Sequence, residues 1–305
     1  MKYFLGIEIG SGKIHLAVAD ETHTITEHIR RDVVPGNTAE DLRSQIEEVI
    51  DDLQTRYRFS SMCVGFGGPV DWRQGKTVQS YRIEGWKNFD LSDWLEDHLH
   101  CPSWVENDAN LAALAEAIQG AGKNYATVFY LKLGHGIGGG LIQKGQIYHG
   151  ARPGESEIGK LRLDRSGTTL ESVASVRAIV QRIESEVAKQ PEGPLAQAVA
   201  AGQGVSYLIQ ALANGDSLAE QLLNETADQL AFALSHVVHL FHPDLIVLSG
   251  GVPELTEKLS QVIDQKLSTY VMEAFLPLPK IALAQLQDEA VVRGALLVAR
   301  QNSYL

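Results

Sequence analysis

The sequence predicts an α/β protein made of two related halves. Apolar runs that read as strands alternate with segments whose apolar residues recur at helical spacing. A chain of 305 residues is longer than one common domain. The stretch YATVFYLKLGHGIGGGLIQKGQIYHG also repeats the layout of FLGIEIGSGKIHLAVAD: strand, glycine turn, strand. Such internal similarity is what a duplicated unit produces.

Composition narrows the function classes. Hydrophobic residues make up 44% and charged residues 21%, as in ordinary globular proteins. A net charge of −12 leaves no lysine and arginine excess to displace counterions from nucleic acid, so no nucleic-acid partner is expected. No apolar run reaches membrane-spanning length and the start does not resemble a signal peptide, so a cytoplasmic protein without a membrane partner is expected. The two cysteines, Cys63 and Cys101, lack CxxC spacing and read as buried or free thiols. His236, His239 and His242 in HVVHLFH fall within about a third of a helical turn. With no interleaved carboxylate, that segment reads as a packed core helix rather than a metal site.

In chain order, GIEIGSGKIHLAVA is the first informative stretch. A P-loop needs glycine at Ile7, a hydroxyl at Ile14 and a helix to follow. Instead Ile14, Leu16 and Val18 alternate with His15, Ala17 and Ala19, giving strand 3–9, a turn at 10–12, and a strand ending at Asp20. Asn37 or Thr38 can cap a helix with Leu42, Ile46, Val49, Ile50 and Leu53 on one face. SSMCVGFGGPVD is a buried strand entering a Gly-Gly-Pro turn. SWVE is a short strand, and NDANLAALAEAIQG a helix ending near Gly120 or Gly122.

In the second half Gly134, Gly136 and Gly139 match GxGxxG, but a hairpin follows where a dinucleotide fold needs a helix. Residues 169–187 and 216–241 read as helices, with KQPEGPLAQAVAAGQG a loop or short helix between them. HPDLIVLSGGVPELTEKLSQVI reads as strand, Gly-Gly turn and helix, followed by strand 280–286 and a helix from Asp288. Three glycine turns, at 10–12, 134–140 and 250–251, thus end apolar strands. Their bare backbone N–H groups can hold phosphate oxygens, which predicts a nucleotide in a cleft between two related domains.

The order GIEIGSGKI, VGFGGPVD, GWKNFDL, WVENDANLAALAE, YLKLGHGIGGGLIQKGQIYHGA, GESEIGK, LESVAS and HPDLIVLSGGV resembles the ROK family of sugar kinases and related repressors, from residue 4 to about 300. ENDAN and GxGIGGGLI-x-x-G-x-I-x-x-GA are its specific parts. The resemblance implies the actin-like ATPase (ribonuclease H-like) fold, with two related domains around a nucleotide and sugar cleft. The expected domains are 1–121 plus 290–305, and 122–289. It implies a homodimer and transfer of the γ-phosphate of ATP, with Mg²⁺, to a hydroxyl of a hexose or N-acetylhexosamine.

Carried over residue by residue, Asp108 is the general base. Its place between a strand end and a helix start supports this independently, although plain helix capping also explains Asn107-Asp108. Asn107, Glu157 and Glu171 match sugar-hydroxyl partners, and Gly67 and Gly68 line the sugar side. Glu8, Gly10, Ser11, Gly12 and Lys13 form the first phosphate turn, Gly134, His135, Gly136 and Gly138 the second, and Gly250 with Gly251 the nucleoside side. Glu8 is the residue nearest Mg²⁺, through water.

The departures are specific. The family's first turn reads Asp-x-Gly-Gly-Thr-Lys, whereas here Glu8 adds a methylene, moving the carboxylate by about 1 Å, and Gly12 lacks the hydroxyl. His135 replaces a threonine. The zinc segment is replaced by Lys160 and RLDRSGTTLE, without cysteine, so no zinc is expected and packing alone should position the helix bearing Glu171. Lys160 reads equally as a donor to a sugar hydroxyl or as a surface lysine paired with a carboxylate. Two functions follow: an ATP-dependent sugar kinase, or a catalytically weak or inactive homologue that binds sugar or nucleotide and regulates. The repressor branch is disfavoured by the charge and by Tyr3 already opening the first strand.

Overall fold

The computed structural model describes residues 2–152, 154, 156–189, 192, 194–200 and 205–303. They form two compact units, Met1–Gly120 with Gly140–Glu155 and Asp288–Leu305, and Ala121–Gly139 with Ser156–Gln287.

The first unit contains the elements expected of it and adds a strand at Ile25–Asp32 and a helix at Leu91–Leu99. β1 (Tyr3–Ile9), β2 (Lys13–Asp20) and β3 (Ile25–Asp32) form an antiparallel meander. β4 (Phe59–Phe66) and β7 (Ser103–Asn107) then add in parallel to β1, giving the order β3-β2-β1-β4-β7. That is the ribonuclease H-like arrangement the resemblance implies. β5 (Val70–Asp71) and β6 (Lys76–Thr77) form a small separate ladder.

α1 (Ala39–Gln54) begins at Thr38, whose hydroxyl and the Asp41 carboxylate make a reciprocal capping box. Its buried face of Leu42, Ile46, Val49, Ile50 and Leu53 joins Leu5, Ile7, Ile14 and Leu16 in the core. Each such side chain contributes about 1.5–3 kcal/mol when removed from water. α2 (Leu91–Leu99) leads into β7, and α3 (Asp108–Gln119) follows it directly. The last helix, α10 (Ala290–Asn302), packs on β1, β4 and α3. At its crossing with α3 a Cβ on Gly294 would lie 2.0 Å from the Leu111 carbonyl oxygen, so only glycine allows this approach.

The second sheet has the order β10-β9-β8-β11-β12, formed by β8 (Thr127–Leu133), β9 (Ile137–Gln143), β10 (Gln146–Ile147), β11 (Leu245–Gly250) and β12 (Lys280–Leu283). β8, β11 and β12 run parallel. Its helices are α4 (Leu170–Ala174), α5 (Val176–Lys189), α6 (Pro194–Ala200), α7 (Ser206–Ala213), α8 (Ser217–Phe241) and α9 (Pro253–Leu267).

Four sequence expectations are corrected here. The helix expected over 169–187 breaks at Ser175, where ψ is 156°: its hydroxyl accepts from Ala178 N–H and starts α5, while Val176 N–H turns to the Gly134 carbonyl at 2.9 Å. The final strand stops at Leu283 rather than 286, and the last helix starts at Ala290, after a 3-10 turn at Gln287–Glu289, rather than at Asp288. HVVHLFH is a core helix only in part: Val237 and Val238 are buried, but Leu240 is 74% and Phe241 41% exposed. Parts of KQPEGPLAQAVAAGQG lie outside the described residues. Both cysteines are free and buried. No helix among the described residues is long and apolar enough to cross a membrane.

Candidate active site

In the first unit the glycine turn after β1 is closed by Gly10 N–H donating to the Lys13 carbonyl at 2.9 Å, with Ser11 and Gly12 exposed. Glu8 is 4% exposed and pairs in register with His15 across β1 and β2. Lys13 Nζ stands 3.5 Å from Glu8 Oε2 and 3.5 Å from Asp288 Oδ1, so two carboxylates hold the ammonium beside the turn. His15 Nε2 lies 3.0 Å from His28 Nδ1, and His28 Nε2 lies 3.8 Å from Glu289. Burial, reinforced by the charges of Arg30 and Lys13 and by His28, lowers the His15 pKa to about 4.

The Gly-Gly-Pro turn joins this assembly through its backbone: Gly67 N–H donates to the Ile9 carbonyl at 2.9 Å. A Cβ placed on Gly67 would stand 3.6 Å from Gly10 Cα and 3.7 Å from Asp108 Oδ2. The glycine turn after β1, the Gly-Gly-Pro turn and the Asp108 carboxylate therefore converge. Asp108 is half-buried and is the first residue of α3.

Asn107 caps that helix, its Oδ1 accepting from Ala109 N–H at 2.9 Å and Asn110 N–H at 3.2 Å. Its Nδ2 donates to the Gly68 carbonyl at 3.2 Å. Asn107 is thus a helix cap that also ties the Gly68 backbone, and it carries one further amide hydrogen.

In the second unit Gly134 N–H donates to the Gly136 carbonyl at 2.9 Å, and His135 projects as an exposed side chain. Gly138 follows in β9. Leu133 pairs with Gly250 in register, so the second and third glycine turns are neighbours at the ends of β8 and β11. Gly251 is exposed, and Leu133, Val176, Val252 and Leu255 line an apolar crevice next to these turns.

Glu157 is exposed and precedes a 3-10 turn at Ile158–Lys160. The Glu171 carboxylate accepts from Ile137 N–H at 3.0 Å through Oε2 and from Lys160 Nζ at 2.8 Å through Oε1. The expectation that packing alone would position the helix bearing Glu171 is therefore corrected: an ion pair and a backbone hydrogen bond made by Glu171 also tie it. Of the two readings of Lys160, the carboxylate pair is the one observed.

The sequence reading missed the device that closes the loop between them. Asp164 Oδ1 accepts from Ser166 Oγ at 2.7 Å, Gly167 N–H at 2.9 Å and Thr168 N–H at 3.1 Å. Hydrogen bonds from Thr168 and Ser166 hold its carboxyl below the usual carboxylate range. The signal was present as DRSGT, an Asx-turn sequence. A lysine ammonium is not a metal donor, and among the described residues no group of three or more His, Cys, Asp or Glu is gathered as metal ligands would be. This segment does not fit a zinc ion.

The family model described as "ROK family" matches residues 4–302. Glucokinase of Thermotoga maritima is 26% identical over 98% of this chain and 97% of its own. The crystal structure of a ROK family glucokinase from Streptomyces griseus, in complex with glucose and AMPPNP, shares 27% identity and a TM-score of 0.84, covering 98% of this chain and 100% of that one. The DNA-binding transcriptional repressor Mlc of Escherichia coli is 24% identical over 97% of this chain and 75% of its own. The relatives thus include sugar kinases and a repressor on one scaffold, the actin-like ATPase fold. With a family match spanning nearly every residue, this chain belongs to the ROK family.

Proposed function

We propose that the chain is an ATP-dependent sugar kinase that transfers the γ-phosphate to a hydroxyl of a hexose or N-acetylhexosamine. The observation that carries this reading is the convergence of Asp108 Oδ2 on the backbone of Gly67 and Gly10. A carboxylate held beside two side-chain-free turns can accept a hydroxyl proton while the nearby backbone approaches phosphate.

In this reading Asp108 takes the proton as the sugar oxygen attacks. Asn107 orients the hydroxyl with its remaining amide hydrogen, Glu157 and Glu171 accept from other sugar hydroxyls, and Lys160 positions Glu171. Gly10, Ser11, Gly12, Gly134, His135, Gly136 and Gly138 present the phosphate-binding backbone. Gly250 and Gly251, with the apolar crevice beside them, seat the nucleoside. Lys13 adds positive charge beside the first turn.

A single hard carboxylate suits a Mg²⁺ carried on nucleotide phosphates and water. Glu8 fits that role: a Cβ on Gly10 would lie 3.7 Å from Glu8 Oε1, so this oxygen faces the turn. When bound, Mg²⁺ neutralises phosphate charge.

A second reading is a binding or regulatory protein with little turnover. It is favoured by the Lys13 ammonium held between Glu8 and Asp288, and by the missing hydroxyl at Gly12.

The deciding experiment is sugar-dependent ADP release with Mg²⁺ across hexoses, ketohexoses and N-acetylhexosamines, with Asp108→Asn as control. Turnover with a sugar that vanishes in the variant establishes the kinase. Sugar or nucleotide binding without turnover establishes the second reading.

A further inference from the structure

One buried carboxylate near Asp108 has no part in the transfer chemistry, yet it gathers the site's backbone. Glu106 is 5% exposed and immediately precedes the Asn107-Asp108 junction. Its Oε1 accepts from Asn107 N–H at 2.8 Å and from Asn110 Nδ2 at 3.0 Å, so it braces both sides of the α3 start. Its Oε2 accepts from the His149 ring through Nε2. A buried carboxylate with three donors is satisfied, and losing one of them frees it to move.

His149 is itself fixed from outside the junction. Its ring stacks on the Trp72 indole at 4.1 Å between centroids, with the Arg73 guanidinium 4.9 Å from the same indole. Gly154 packs against both partners: a Cβ there would stand 3.1 Å from Trp72 Nε1 and 3.4 Å from His149 Cβ. The Gly154 carbonyl also lies 3.5 Å from Asn110 Nδ2, and Arg152 pairs with Asp71 at 3.4 Å. The chain at residues 149, 152 and 154 thus straps the strand-to-helix junction from Asp71-Trp72 across to Asn110. All these residues belong to the first unit.

We propose that His149, seated on Trp72, is a positioning residue for phosphoryl transfer. By donating to Glu106 it orients the carboxylate that fixes Asn107 and Asn110, and so the first helical turn from which Asp108 reaches the sugar hydroxyl. The catalytic meaning of this rests on the kinase reading; the bracing does not. The geometry separates two contributions of His149, the stack on Trp72 and the donation to Glu106. His149→Phe keeps the first and loses the second, whereas His149→Gln keeps a donor and loses the ring.

The test measures amide hydrogen exchange at residues 107–110 together with steady-state kinetics, in wild type and both variants. The expected result is faster exchange at Asn107, Ala109 and Asn110 in His149→Phe. kcat should fall about tenfold or more, as misplacement of a reacting group produces, with the KM for nucleotide unchanged. His149→Gln should restore protection and most of kcat.

Unchanged exchange in His149→Phe, or equal losses in both variants, overturns the proposal. Faster exchange with unchanged kcat in an active enzyme overturns its catalytic part. If the wild type turns over no sugar, the kinase reading fails by itself and the exchange data still decide whether His149 braces the junction.

Discussion

Lowering the pH from 7 to about 4.5 should destabilise the wild-type first unit more than a His15→Gln variant, by about 2 kcal/mol. His15 is fully buried, and its pKa of about 4 lies below the 6.5 of an exposed imidazole. Burial is the leading cause, followed by Arg30, Lys13 and His28, with Glu289 alone opposing. The charged and titratable groups facing it are Glu8 from β1, Lys13 from β2, His28 and Arg30 from β3, and Glu289 from the turn before α10. Between pH 6.5 and 4 the unfolded chain carries the His15 proton and the folded chain does not. Stability is therefore fully present above pH 6.5 and is lost as pH falls through 4. The gap corresponds to about 3 kcal/mol in full, of which roughly three quarters is gone at pH 4.5. All four tryptophans, at 72, 86, 94 and 104, lie in the first unit, so urea unfolding followed by their fluorescence reports this unit. Carboxylates remote from His15 contribute equally in both proteins, so the difference between wild type and His15→Gln reports the imidazole together with its coupling to Glu289. Parallel losses in the two proteins at pH 7, 5.5 and 4.5 would refute the reasoning.

Three further outcomes are expected. Gly12 is exposed and a Cβ there meets no atom within 4 Å, so Gly12→Thr should fold normally and raise kcat/KM for nucleotide by about tenfold through one added hydroxyl contact to phosphate; steady-state kinetics with unchanged or lower values would show that the hydroxyl finds no phosphate. In Gly68→Ala the new Cβ would lie 2.7 Å from the Gln79 carbonyl, costing about 1–3 kcal/mol, visible as a lower melting temperature. Because the Gly68 carbonyl receives the Asn107 amide, sugar affinity should fall as well, measured by calorimetry. Asp164→Ala should lower the melting temperature by opening the loop before α4, while a zinc chelator added to wild type leaves it unchanged; a chelator-induced drop would mean that a metal holds this region after all.

The parts of the fold that sequence reading recovered are those with local causes. β1, β2 and the turn between them follow from period-two alternation and clustered glycines, and Asp108 stands out because a strand end meets a helix start within two residues. Where distant partners decide, the pattern misleads. Helical periodicity runs straight through Ser175, but Val176 N–H is claimed by a carbonyl in the second glycine turn. ITEHIRRD does not read as a strand because none of its residues is buried and Glu27 shares the half-covered side of β3 with Ile25 and Ile29, breaking the apolar alternation.

The loop before α4 shows the same division inside the candidate site. Loss of the family's cysteines is plain in the sequence, and it reads as the removal of a cross-link with nothing in exchange. The replacement has two parts of different legibility. Asp164 with Ser166, Gly167 and Thr168 is a local turn whose residue types announce it, since a short carboxylate beside small residues satisfies its own backbone. The Lys160–Glu171 pair joins residues eleven apart across that turn, so it exists only once the turn has folded back. A local Asx turn thus makes a non-local ion pair possible, and together they carry Glu171 to the Ile137 N–H at the head of β9. On this argument the order of dependence is testable: Asp164→Ala should weaken the Lys160–Glu171 pair, whereas Lys160→Met should leave the Asp164 turn intact, as amide exchange at Gly167 and Thr168 would report.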